Sequence, residues 1–407
     1  MIGKRLQLLM KILMLVDQKY PTEHVFLEEV YTKIFKEKGH EIIWVMLSEQ
    51  VDRLTVKTWN KNKVYVIPTK PNLLSEYLNL TVTLHNLTHT FVNQKFDLVF
   101  VRNDPIMGLY ASHLANKLNI PFVYKLSHLK SDETIYFAKK GLYGNQLTNY
   151  IAGTLSLKLR NHVLKKADLV FAMSDTMRNY LVKTKLRSSK TFSLPSGADT
   201  NLKPNKLAVK QIQKKYNLTG KTLVYLGTLI KSRNPYFMFD VVSKLTQKHP
   251  DLKLMVVGAG LNRQDIVDYK KYVRKLGIKD NVVFTGRVPR KQVQNYLTAA
   301  DIGLTYLPPV FIFKMNSLLK LVDYMNASLP VVCNNFNDEQ RKIVNKTKCG
   351  LCVNHDVDSF SDAIDQLLRS KRQRTAMGKR GKTFVNAERR LAHLADYVEN
   401  KLLGLIA

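Results

Sequence analysis

Residues 314–332 read KMNSLLKLVDYMNASLPVV. A polar stretch runs into an amphipathic helix, and Pro330 then opens an apolar strand. The first N–H groups of a helix lack intrahelical acceptors. Together with the helix dipole they attract an anion such as a pyrophosphate. Asp323 stands about one turn inside that helix, where a carboxylate accepts hydrogen bonds from sugar hydroxyls such as those of a ribose. A surface helix with one exposed Asp fits the same pattern, and the residues alone leave both readings open. The loop from Gly227 to Asn234 follows an apolar strand and carries Lys231 and Arg233. These are either phosphate partners or ordinary loop cations. Gly258 and Gly260 close the strand LKLMVVG, where glycine serves close backbone approach to a ligand or a plain turn. Arg287 follows Gly286, which ends a further apolar strand. Ser127 and His128 end the strand IPFVYKL, and Asp104 in VRNDP ends another.

These residues need elements that bring strand ends together. Short apolar, β-branched runs recur: KILMLV, HEIIWVML, KVYVIP, FDLVFV, IPFVYKL, ADLVFAMS and TFSLP. A second series follows: KTLVYLG, LKLMVVG, NVVFTG, ADIGLTYL, LPVVC and CGLCV. Such strands, covered on both faces, belong to parallel sheets. Helical patterns lie between them. Over residues 23–38, Phe26, Val30 and Ile34 share one face, with Leu27, Tyr31 and Phe35 beside it. The alternation predicts an α/β chain with two Rossmann-like domains. The seam falls at LPSGADTNLKP, where Pro195, Gly197 and Pro204 break the periodicity. The expected domains are 1–197, completed by a C-terminal helix over 386–407, and 198–385. Ligands bind such sheets beyond the carboxyl ends of the strands. Two domains facing each other across a cleft would therefore bring a donor on one to an acceptor on the other.

The chain has 407 residues, 64 Lys+Arg against 32 Asp+Glu, and a formal charge of +32. That field attracts anions without naming them. No apolar run is long enough to span a bilayer. The opening MIGKRLQLLMKILMLVD has basic and apolar parts of a secretory signal. Lys11 interrupts it and no small-residue cleavage site follows, so Ile12–Val16 is expected as a buried strand. Cys333, Cys349 and Cys352 are too few for a disulfide framework; the C-x-x-C pair reads as small residues around Gly350 in a strand, with a zinc site completed by Cys333 and His355, or a redox pair, as the alternatives. Residues 141–166 hold four Lys/Arg and no acid, with Tyr143, Leu147, Tyr150, Leu155 and Leu159 as apolar area. That is a pattern for an anionic membrane interface, or for a helix packed on the core. The only D-x-D, Asp356–Asp358, reads as a helix N-cap.

The segment 314–332 resembles the donor-binding motif of glycosyltransferase family 4, which runs roughly P-x-S-P-x-K-L-F-E-Y-M-A-A-G-x-P-V-V. Ser317, Lys320, Leu321, Tyr324, Met325, Ala327, Pro330, Val331 and Val332 match. Asp323 replaces the usual Glu, Met315 stands where many relatives carry another Glu, and Ser328 replaces Gly. The turn at Gly39–His40, the passage ADLVFAMSDTMRNYL to LPSGADTNLKP, LVYLGTLIKSRNP, VVGAG and NVVFTGRVPRKQVQNYLTAADIGL resemble further family segments in order. The likeness takes in most of the chain. Thr228 departs from a common Arg, and DQKYPTEHV lacks the glycines that many relatives place after the first strand.

The resemblance implies a GT-B fold and a retaining hexosyl transfer from a nucleotide-sugar. UDP donors are expected ahead of GDP donors. The acceptor is expected to be a saccharide or a lipid-linked surface glycan. It implies donor binding by Gly227, Lys231, Arg233, Gly258, Arg287, Ser317, Leu318, Lys320 and Asp323, and catalytic parts for His128, Arg233 and Asp323. Charge building on the leaving diphosphate is met by preorganised donors, so no catalytic metal is expected, and no other cofactor. A cytoplasmic enzyme, peripheral on the inner face of the membrane, is the expected setting. Three alternatives stand beside this reading: a nucleotide-sugar epimerase of the same fold, an inactive GT-B binding protein and a polyanion-binding protein. No nucleic-acid-binding motif supports specific recognition of that polymer.

Overall fold

The structure is a computed structural model that describes residues 8–70, 73–142, 144–184 and 186–406. The first seven residues of the signal-like opening, and Tyr143, lie outside the described residues. The chain divides into two compact units, one of Met1–Pro195 with Ala392–Ala407, the other of Ser196–Leu391.

Unit 1 holds an eight-stranded sheet in the order β3-β4-β2-β1-β5-β6-β7-β8. Its strands are β1 (Lys11–Lys19), β2 (Glu41–Ser48), β3 (Thr55–Trp59), β4 (Asn62–Pro68), β5 (Leu98–Arg102), β6 (Phe122–Leu126), β7 (Leu169–Ala172) and β8 (Thr191–Ser193). A π-type helix over Leu27–Ile34 leads into α1 (Phe35–Glu37). The other helices are α2 (Leu73–Val92), α3 (Pro105–Leu118), α4 (Lys130–Lys139), α5 (Gln146–Lys166) and α6 (Asp175–Lys183). All neighbouring strands run parallel except β3, which pairs antiparallel with β4. Strand β3 has no counterpart among the apolar runs of the sequence. Its residues TVKTW alternate with polar ones, and Val56 is exposed at this edge of the sheet, so no continuous apolar run marks it.

Unit 2 holds a six-stranded parallel sheet in the order β11-β10-β9-β12-β13-β14. Its strands are β9 (Thr222–Leu226), β10 (Lys253–Val257), β11 (Val282–Gly286), β12 (Ile302–Thr305), β13 (Val331–Asn334) and β14 (Gly350–Val353). The helices are α7 (Lys206–Lys215), α8 (Tyr236–Thr246), α9 (Arg263–Lys275), α10 (Val293–Thr298), α11 (Phe311–Lys314), α12 (Leu319–Asn326), α13 (Asp338–Thr347), α14 (Val357–Arg369) and α15 (Lys371–Glu388). Asp356 caps α14 by accepting from Ser359 N at 2.7 Å. Cys333 and Cys352 lie opposite each other on β13 and β14.

Each sheet has one strand from which the chain winds out both ways. In unit 2 it is β9, with β10 and β12 on its two sides; in unit 1 it is β1, between β2 and β5. Crevices open beyond the carboxyl ends of strands at such switch points. Unit 1 is completed by α16 (Leu391–Ile406). This helix begins at Leu391 and not at residue 386, because α15 continues to Glu388. Its Glu399 accepts from the buried His40 ring at 2.7 Å, while His40 Nδ1 accepts from Met10 N at 3.1 Å. Lys38 binds Asp396 of the same helix at 2.6 Å.

Candidate functional site

Unit 2 builds its polar cluster at the β9/β12 switch point. Gly227 follows β9 directly, with φ 133°, and Gly258 follows β10 with φ 151°. A Cβ on Gly258 would stand 2.1 Å from the Gly227 carbonyl oxygen. The glycine at 258 is therefore required by loop-on-loop packing, which brings the two strand ends together. Hydrogen bonds from Gly227 N to Val257 O (2.9 Å) and from Gly258 N to Gly286 O (3.1 Å) fasten them. Gly258→Ala is expected to cost unit 2 about 2–3 kcal/mol, from strain and displacement of this loop, read by urea unfolding.

Helix α12 runs past this loop. Its N-terminal residue Leu318 makes no side-chain cap, so the first N–H groups are left to other acceptors. Leu318 itself packs half-buried on the core. Tyr324 ties the helix to the sheet: its hydroxyl accepts from Leu226 N at 2.7 Å and donates to Leu304 O at 3.0 Å. One turn earlier on the helix, Lys320 is only 8% exposed. Its Nζ lies 3.7 Å from the Tyr225 ring centroid and would be 3.5 Å from a Cβ on Gly227. Among the described residues, that ammonium, the buried Tyr225 hydroxyl and Arg233 Nε reach no partner with hydrogen-bond geometry, although the three groups are close enough to shift one another's titration. Burial pushes the Lys320 amine below the usual lysine range. Burial pushes the Tyr225 phenol up, but the Lys320 and Arg233 charges outweigh it and hold the phenol below its usual range. Two cations thus converge on one buried aromatic, and among the described residues no carboxylate lies between them.

The remaining expected residues have partners of their own. Asp323 is 1% exposed, and both its oxygens accept from Arg290, at 2.7 and 2.6 Å. The picture of an exposed Asp on a surface helix is thereby excluded. Lys231 lies 3.4 Å from Asp268 and 3.6 Å from Asp265 on α9. Its hydrogen bond to Asp268 raises its pKa above the usual lysine value. The Ser317 hydroxyl accepts from Ser196 N and donates to Glu339, both at 2.9 Å. Arg389 binds the same Glu339 oxygen at 2.9 Å, so Ser317 holds together the chain segments entering and leaving unit 2. Arg287 is exposed after β11. Met315, where many relatives carry Glu, is buried. Tyr225 and Arg290 were not singled out in the sequence. Tyr225 could have been found as the aromatic two residues before the loop glycine.

In unit 1, His128 follows β6 and its Nε2 is 2.6 Å from Glu133. Asp104 caps α3 through Ile106 N and Met107 N, at 2.9 and 2.8 Å, and burial raises its pKa. A second polar cluster lies at the β1/β5 switch point. Arg102 donates to Asp17 at 2.7 Å and meets the His24 ring at 3.1 Å. Asn103, with φ 62°, bonds Asp17 at 3.0 Å and accepts from Ser127 N at 2.7 Å. The buried Ser127 hydroxyl makes no hydrogen bond among the described residues. Lys125, buried beside this cluster, lies 3.8 Å from the Phe26 ring centroid, and burial drives its pKa well down. Among the described residues, no group of three His, Cys, Asp or Glu side chains could hold a metal ion.

The family model "Glycosyl transferases group 1" matches residues 209–384, and "Glycosyltransferase Family 4" matches 32–202. A Mycobacterium tuberculosis GDP-mannose-dependent alpha-(1-6)-phosphatidylinositol monomannoside mannosyltransferase is 26% identical over 214 residues, 50% of this chain and 54% of that protein. The alpha-monoglucosyldiacylglycerol synthase of Streptococcus pneumoniae is 24% identical over 231 residues, 52% and 49% of the two chains. The chain thus spans about half the length of these curated relatives. Among solved structures, Anabaena HepE in complex with UDP and glucose superposes with a TM-score of 0.75 at 15% identity, covering 97% of this chain and 100% of that one. WaaG, a glycosyltransferase involved in lipopolysaccharide biosynthesis, gives 0.72 at 14% identity over 96% and 100%. With both of its units matched by these models and the fold shared along its length, the chain belongs to the family 4 type of glycosyltransferases, with the GT-B fold.

Proposed function

We propose that the protein transfers a hexosyl group from a nucleotide-sugar to a saccharide or lipid-linked acceptor, with retention of configuration. Unit 2 takes the donor and unit 1 the acceptor. The observation that carries this reading is the buried Lys320 ammonium beside Gly227 and Arg233, which meets no carboxylate among the described residues. A buried cation without an anion is costly, and a diphosphate supplies the missing charge. In this reading Arg233, Lys320 and the uncapped start of α12 stabilise the charge that builds on the leaving diphosphate. Asp323, held by Arg290, offers its remaining lone pairs to the ribose. His128, steadied by Glu133, orients the sugar. The neighbour solved with UDP and glucose favours UDP, and the mannosyltransferase relatives make GDP-mannose the second choice.

The test is thermal stability against UDP, UDP-glucose, GDP and GDP-mannose. A ligand at ~100 times its dissociation constant adds roughly 2.7 kcal/mol. Stabilisation by one nucleotide family, followed by transfer with the donor's anomeric configuration kept in the product, is expected. Binding without transfer to any sugar acceptor would favour the inactive binding protein. Interconversion of the free nucleotide-sugar would favour the epimerase. Transfer is expected to continue in excess EDTA; loss of transfer in EDTA with recovery on adding magnesium or manganese would overturn the metal-free mechanism.

A further inference from the structure

We infer that unit 1 carries an oxyanion site at the carboxyl ends of β5 and β6, and that this site takes a phosphate group borne by the acceptor. The inference rests on the reading of unit 1 as the acceptor unit. The site is a set of buried donors that lack acceptors. Arg102 and Lys125 are register partners on β5 and β6, so their side chains leave the same face of the sheet. Ser127 stands two residues past Lys125, where the alternation of an extended chain returns to that face. Arg102, Lys125 and Ser127 are only 7%, 6% and 7% exposed. Among the described residues, Arg102 Nε and the Ser127 hydroxyl reach no hydrogen-bond partner. The same holds for the buried Tyr31 hydroxyl, which is close enough to Arg102 to feel its charge.

Lys125 is the central member. Its Nζ lies 3.8 Å from the Phe26 ring centroid. It meets no carboxylate among the described residues: burial and the Arg102 charge hold its pKa well below the usual lysine range, and no acid offsets them. The acid of the cluster, Asp17, already accepts from Arg102 at 2.7 Å and from Asn103 at 3.0 Å. A buried cation of this kind is costly unless an anion joins it. Unit 2 uses the same device, with the Lys320 ammonium 3.7 Å from the Tyr225 ring centroid. Each sheet thus holds a buried lysine on an aromatic ring beside its own switch point.

The donor set selects the ligand. An ammonium, a guanidinium N–H and a hydroxyl come from three different side chains. A tetrahedral phosphate has enough oxygens to meet all three and the charge to offset Lys125. A neutral sugar hydroxyl lacks that charge, and a carboxylate has only two oxygens. Asp17, His24 and Asn103 stay partly exposed, so the cluster opens to solvent on their side.

The experiment is titration calorimetry of the full chain with inorganic phosphate, glucose 6-phosphate, dimethyl phosphate and glucose. It is run without UDP and again with the protein saturated by UDP, so that the donor site is filled. At least one phosphate compound is expected to bind ~10-fold or more above glucose in both settings. Preference for glucose 6-phosphate assigns a terminal phosphate, and preference for dimethyl phosphate a phosphodiester; either supports the inference. Lys125→Met should weaken that binding ~10-fold or more and Ser127→Ala ~3-fold. Lys320→Met, measured without UDP, should leave it in place. Binding of UDP by the Lys125→Met protein shows that it is folded; if it is not, Ser127→Ala decides. No phosphate binding, glucose bound as well as the phosphates, wild-type phosphate binding in the folded variants, or loss only in Lys320→Met would overturn the inference. Failure of the wild-type protein to bind any nucleotide would instead overturn the donor reading, and the titration without UDP judges the phosphate site separately.

Discussion

Lys320→Met is expected to abolish donor binding while raising the melting temperature of the unliganded protein. The ammonium is buried over the Tyr225 ring and meets no carboxylate among the described residues, so without a bound anion it is a net cost. Methionine fills similar space without the charge. Relief of each kcal/mol should raise the transition of a unit this size by roughly 2–4 °C. With a diphosphate bound, the same ammonium becomes a partner in a charge-assisted bond, and its loss should weaken binding ~100-fold or more. Isothermal titration with UDP and scanning calorimetry read the two effects on one sample. Affinity within a few-fold of wild type would remove Lys320 from the donor site. The pH dependence has a definite sign. Burial depresses the folded-state pKa of Lys320. Its destabilising burial is fully present below that depressed value, where the amine is charged in both states. The cost is relieved as pH rises from there toward the ordinary lysine value. Donor affinity should fall over the same rise in pH, because the ammonium is lost.

Asp323→Ala is expected to destabilise unit 2 by about 3 kcal/mol. Both Asp323 oxygens are engaged by Arg290, and removing the acid takes from a largely buried guanidinium the carboxylate that holds it by two hydrogen bonds. The figure sits at the low end because Arg290 keeps 18% of its side chain exposed. Loss of activity in this variant would therefore mix unfolding with donor recognition. Asp323→Leu combined with Arg290→Met separates them. The apolar pair should recover most of the stability in urea unfolding and remain unable to bind donor. If the double variant binds UDP like wild type, the pair is structural only. If it unfolds as readily as Asp323→Ala, the ion pair was not the source of the loss.

The two sheets were legible because buried parallel strands are written as unbroken apolar runs, and β9 to β14 follow that pattern. β3 was not legible, since an edge strand half in water alternates like a loop. The donor motif located Lys320 and Asp323, but which of them is unpartnered was not readable. Lys320 meets the Tyr225 ring of β9, nearly a hundred residues earlier, whereas Asp323 meets the Arg290 guanidinium from the turn after β11. Lys231 reads like Arg233 in the loop, yet α9 presents Asp265 and Asp268 to it. Ser317 matches the motif, and its hydroxyl serves the chain crossings at Ser196 and Arg389. Pairings of this kind depend on the topology of the whole sheet, and neighbouring residues in sequence carry no trace of them.

The placement of α16 sets an order of events during synthesis. Unit 2 is a single stretch of chain, complete once Leu391 has emerged. Unit 1 begins first, yet its His40 ring and Lys38 wait for Glu399 and Asp396. A growing chain must therefore carry an unfinished first unit, with a buried imidazole still lacking its carboxylate, through the whole translation of the second. Protease protection of the early strands should appear only after α16 has left the ribosome.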